Sequence, residues 1–118
     1  MPSVERDFDG NGMTDRAIVL VADRGEPLAL FVFLKSRDGK WRDFKVEERS
    51  TQLGEYHITV VPKGCYHSEE TGARVVCLKH DGLAYTELEY GGGRLHWFDG
   101  KRWRELLYTR RMFKELQL

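Results

Sequence analysis

The sequence predicts an all-β fold, an antiparallel meander of about eight strands that forms a sandwich or a partly open barrel. Three observations carry this. Short runs rich in Val, Ile, Leu, Phe, Tyr and Trp recur about every ten to twelve residues, the spacing of all-β domains. Asp38-Gly39, Asp81-Gly82 and Asp99-Gly100 stand between consecutive runs, and Asp-Gly is a strong hairpin signal. The 118 residues fit a single domain spanning 1–118, long enough to bury one proper core.

Taken in order, residues 17–22 are apolar and β-branched, and Asp23 to Pro27 reads as a turn. Residues 28–34 are apolar at every position, the pattern of a central strand covered on both faces. Residues 41–46 read as a half-exposed strand, and residues 47–55 as polar and irregular. Residues 56–61 form a further strand, stopped by Pro62-Lys63-Gly64; residues 65–72 read as a surface loop. Residues 73–79 and 83–89 are strands on either side of Asp81-Gly82, and Gly91-Gly92-Gly93 makes the next turn. Residues 94–98 and 103–108 flank the last Asp-Gly pair. In the tail, Met112, Phe113 and Leu116 fall at helical spacing, so a short C-terminal helix or a frayed end is expected there.

The stretch from Asp7 to Asp15 organises the rest. Asp7, Asp9, Asn11 and Asp15 lie at alternate positions, and alternate residues of a curled loop can point at one centre. Calcium takes six to eight oxygens from carboxylates, carbonyls and water. The expected ligands are the side chains of Asp7, Asp9, Asn11 and Asp15 and the backbone carbonyl of Met13, with Ca2+ as the ion. Gly12 falls where such loops turn sharply. Asp, Asn and Gly also make ordinary turns, but a plain turn would use only one or two of them. An EF-hand reading fails at its twelfth position, Ile18, which cannot replace the bidentate Glu.

The pattern Asp-x-Asp-Gly-Asn-Gly-x-x-Asp, running straight into Arg16-Ala17-Ile18-Val19-Leu20-Val21, resembles the calcium loops of FG-GAP and VCBS repeats. The resemblance covers about 16 residues and implies a loop that feeds a β-strand. The chain as a whole also resembles small bacterial β-meander proteins of unknown role. A full propeller, the fold built from such repeats, needs at least about four four-stranded blades, and this sequence holds one loop and no internal repeat.

Composition narrows the function. Net charge is formally zero, and the basic residues near the end, from Lys101 to Lys114, are interleaved with Glu105 and Glu115, so no nucleic-acid partner is expected. No run approaches the roughly 20 apolar residues of a membrane span. The abrupt start before the loop suits a mature periplasmic or secreted protein, where calcium is plentiful; a cytoplasmic protein is the alternative. Cys65 and Cys77 permit one disulfide, but Cys77 in the apolar run Val75 to Leu78 reads, by a narrow margin, as a buried free thiol.

No catalytic set stands out. His57, His67, His80 and His96 are scattered. Cys65-x-His67 with Cys77-x-x-His80 is a poor match to zinc-ligand spacing. Adjacent Glu47-Glu48 and Glu69-Glu70 do not have the separation of glycosidase carboxylates. The expectation is therefore a non-enzymatic domain that binds another protein, such as an inhibitor or immunity protein blocking an enzyme or toxin. Its partner face is assigned to Tyr66, His67, Glu69 and Glu70 of the middle loop and to Arg94, Trp97, Arg102 and Trp103, since Tyr, Trp and Arg dominate interface hot spots. The alternative is a carbohydrate-binding or surface-adhesion module; a hydrolase is the remote third reading.

Overall fold

The computed structural model describes residues 3–49, 56–68, 74–87, 93–108 and 112–114. Among them the fold is all-β and antiparallel, with no helix and with a sandwich-like arrangement that does not close into a barrel. The first sheet runs β1 (Ser3–Arg6), β2 (Asp15–Val21), β3 (Leu28–Lys35) and β4 (Trp41–Arg49) in chain order, a true meander. The chain then enters β5 (Tyr56–Val61) and turns into β6 (Gly64–Ser68) and β7 (Arg74–Leu78) before β8 (Gly82–Glu87), β9 (Gly93–Phe98) and β10 (Trp103–Tyr108). The second sheet has the order β10-β9-β8-β5; β6 and β7 leave it to form a third sheet, completed by β11 (Met112–Lys114).

Alternation along the strands builds two cores. Ala17, Val19, Leu30, Val32 and Leu34 point from the first sheet at Ile58, Leu83, Tyr85 and Phe98 of the second. The opposite face of the second sheet presents Ala84, Leu95 and Leu106 to Tyr66, Val76 and Leu78 of the third. The second sheet is thus the middle layer, and β8 shows why: Leu83 and Tyr85 enter one core while Ala84, between them, enters the other. At one side of the sandwich β1 lies against β5. At the other, β4 and β10 leave an open cleft of roughly 610 Å³ with His96 in its lining.

Three expectations require correction. The middle loop begins as strand β6, held by β7 on one side and β11 on the other. Residues 112–114, placed on a possible helix by their spacing, are that strand β11; three residues gain nothing from helical periodicity when β6 offers a free edge. The apolar strand β3 is covered on one face only: Leu30, Val32 and Leu34 are buried, whereas Phe31 and Phe33 join neither core. The meander runs through β1 to β4 and again through β8 to β10, interrupted where β5 pairs with β8 across the β6–β7 excursion.

Candidate metal centre

The loop between β1 and β2 is shaped by its own side chains. Gly10 and Gly12 take φ values of 76° and 85°, a left-handed backbone that glycine adopts without steric cost and that lets the loop curl. The Asp7 carboxylate accepts the Gly10 N–H at 2.9 Å and the Gly12 N–H at 2.8 Å. Asn11 Oδ1 accepts the Met13 N–H at 2.9 Å. Asp15 is fully buried, its two oxygens accepting the Phe8 and Lys35 amides at 2.8 Å each.

These bonds bring oxygens of Asp7, Asp9 and Asp15 within 4.8 Å of one another, so the three carboxylates form a group that could hold a metal ion. The electrostatics fit a cation. Desolvation first, then the charge of Asp15, pushes the Asp9 carboxyl up to about 6. Burial also raises Asp15, against the opposing Lys35 and Phe8 N–H groups. Asp7 is desolvated too, but amides led by Gly12 outweigh this and leave it below the ordinary carboxylate range. Two carboxyls with raised pKa values beside a third are what a divalent ion would relieve. Asn11 and Met13 belong to the same loop, and Asn11 Oδ1 retains a second lone pair.

The loop is fastened to the body at several points. Phe8 is fully buried in the first core and meets Trp103 edge-on, with ring centroids 6.2 Å apart. Asn11 Nδ2 donates to the Lys35 carbonyl at 2.7 Å, and Arg37 Nε donates to the Asn11 carbonyl at 3.0 Å. A Cβ at Gly10 would lie 2.1 Å from the His80 ring, so the loop also presses on the β7–β8 turn.

Among the described residues, those assigned to a partner face do not share one surface. Tyr66 is buried in the second core, its hydroxyl donating to the Pro62 carbonyl at 2.5 Å. His67 is half-buried, and Glu69 and Glu70 lie outside the described residues. Arg94 is exposed and pairs with Glu105 at 3.4 Å. Trp97 packs on the second core while Trp103 packs on the first, so the two rings serve opposite faces of the middle sheet. Arg102 is exposed at the rim of the β4–β10 cleft. Cys65 and Cys77 are bonded to each other, which excludes them as zinc ligands and corrects the free-thiol reading; as directly opposed residues of β6 and β7 they are placed for a bridge by the register.

One polar cluster had no counterpart in the sequence reading. His96 is 1% exposed, and its Nε2 lies 2.6 Å from Glu47 Oε1, joining the middle sheet to the first. Glu47 also pairs with Arg49, whose guanidinium sits over the Tyr56 and Tyr85 rings. The Tyr85 hydroxyl is buried with no hydrogen-bond partner, and burial, then Glu47, pushes it up to about 12. The alternation of β9 could have shown His96 pointing inward with Phe98. Glu47 was hidden by a register shift in the β3–β4 pairing, which turns Glu47 and Arg49 inward after Phe44 and Val46. Both imidazole nitrogens face carboxylates, Glu47 and, at 3.9 Å, Glu105, and the ring is almost wholly buried in the wall of the cleft, so the cluster reads as a brace between sheets.

No protein-family model, curated protein or solved structure matches this chain. No helix among the described residues is long and apolar enough to cross a membrane.

Proposed function

We propose that the chain is a small non-enzymatic β domain that binds calcium through its first loop and binds a protein partner, in the manner of an inhibitor or immunity protein. The convergence of Asp7, Asp9 and Asp15 carries the metal half of this reading. Calcium is the ion favoured, because the donors are hard oxygens and the loop's spacing is that of FG-GAP and VCBS calcium loops, with Asn11 and the Met13 carbonyl completing the set. The ion's role is structural: the loop ties β1, β2 and the β3–β4 turn together and plants Phe8 in the core.

The partner half rests on less: the charged, open cleft between β4 and β10, where the exposed Lys101 and Arg102 make no ion pair among the described residues, offers a recognition surface. A periplasmic or secreted location is supported by the Cys65–Cys77 disulfide, a bond that persists in oxidising compartments. The test is titration calorimetry with calcium, followed by affinity capture from the native organism in calcium and in chelator. Heat of binding lost in Asp9→Ala, with one partner protein retained on the calcium column, is expected; no heat in the native chain refutes the metal, and an empty column refutes the partner.

A further inference from the structure

The outer face of the first sheet carries a cluster of large apolar side chains among its charges, where a two-layer sandwich would present polar ones. Asp15, Ala17 and Val19 of β2 are buried toward the core, so Arg16, Ile18 and Leu20 point outward. On β3, Phe31 and Phe33 point the same way, their rings 6.3 Å apart and 19° from parallel. Trp41, 51% exposed, follows on β4 with Lys35 over its ring. Ile18 lies beside Phe31 and Leu20 beside Ala29, so the apolar patch spans β2 and β3, and the β4 residues opposite Phe31 and Phe33 are Lys45 and Asp43. None of Ile18, Phe31 and Phe33 belongs to either core. A strand apolar on both faces is the pattern of strands that are covered on both sides, and a contiguous exposed apolar patch marks an interaction site.

We propose that this face is covered by the same face of a second copy, giving a two-fold dimer in which two first sheets pack back to back. Charge argues for a self-complementary occupant. The outward charges of the sheet are Glu5, Asp43 and Glu48 against Arg16, Lys35 and Lys45, three of each sign. A strongly acidic or basic partner would gain nothing from that balance, whereas an isologous contact places both signs of one rim opposite both signs of the other. Area agrees. Four strands about 4.8 Å apart and about seven residues long offer roughly 450 Å² in plan, or roughly 900 Å² for two copies before side-chain relief adds to it. That reaches the roughly 1,000 Å² at which specific interfaces begin. Packing two antiparallel sheets face to face also repeats the arrangement already used inside the chain. The dimer face shares Asp43 and Lys45 with the rim of the cleft but includes none of the carboxylates of the metal loop, so it is expected in calcium and in chelator alike.

Sedimentation equilibrium of the full chain from about 1 to about 100 μM tests it. The native chain is expected to reach the mass of two copies at the upper end. Phe31→Thr with Phe33→Thr, which keeps strand-forming residues, is expected to weaken association at least about a hundredfold. Trp41→Glu, at a position half in solvent, is expected to do the same and remains informative if the double variant fails to fold. A native chain that stays monomeric at about 100 μM overturns the proposal. So does a dimer indifferent to Trp41→Glu.

Discussion

Asp9 lies beside Asp15 and Asp7 with its carboxyl pushed up to about 6, by desolvation and then by the Asp15 charge. A carboxyl whose folded pKa exceeds its unfolded value, about 3.8, stabilises the fold at low pH and loses that contribution as pH rises through the folded value. In chelator, the melting temperature of the native chain is therefore expected to fall between about pH 4 and about pH 6 relative to Asp9→Asn, as read by thermal scans across that range. Asp15 acts in the same direction and Asp7 in the opposite one, and both lie beside Asp9, so the difference between the two proteins reports the removal of one charge from the cluster. Gly10 sets a second limit on the loop. Gly10→Ala meets both a φ of 76° and the His80 ring, whereas Gly12→Ala meets only its φ of 85° and open space. Urea unfolding is expected to show a loss of about 2 kcal/mol for Gly10→Ala and about 1 kcal/mol for Gly12→Ala. The spacing of the loop residues was legible from the sequence because each ligand type is local. His80 was not, because it arrives from a turn some seventy residues away in the chain.

Strands were legible where their side chains did the work. The eight apolar runs that signal strands in the sequence all appear, because alternation toward a core leaves its mark on composition. The three that went unread, β1, β6 and β11, are short and are placed by pairing with the backbone of a neighbour. A register pairing of that kind has no sequence signal of its own. The irregularity in β4 had a further effect, since it turns Glu47 inward to meet His96. Removing one member of a buried pair leaves the other without its partner, and His96→Ala also opens a cavity between sheets. A loss of about 3 kcal/mol is expected in urea unfolding, with the Glu47–Arg49 pair limiting the damage. In the third sheet, Cys65 and Cys77 close a loop with a sequence separation of 12. Replacing both with Ser is expected to cost about 3 kcal/mol, with the fastest new amide exchange in β6 and β7.

Three sheets share two cores, and the first loop reaches across the end of the larger one. Phe8 enters that core between the sheets, while Asp15 and Asn11 bind the loop to Lys35 at the end of β3. Order in the loop is thereby linked to the stability of the sandwich, and an ion bound only by the folded chain must raise it. The number of layers could not be read from the sequence, because a face apolar on β3 and a strand leaving the middle sheet look alike until the pairing partners are known. The carboxylate group that could hold the ion was readable, since nine consecutive residues supply it. The most direct measurement is the melting temperature in millimolar calcium and in chelator, for the native chain and for Asp9→Ala. At about a hundredfold excess over its dissociation constant calcium adds about 2.7 kcal/mol, so a rise on the order of 10 °C is expected in the native chain and none in the variant. Superimposable curves for the native chain in the two buffers would contradict calcium binding at this loop.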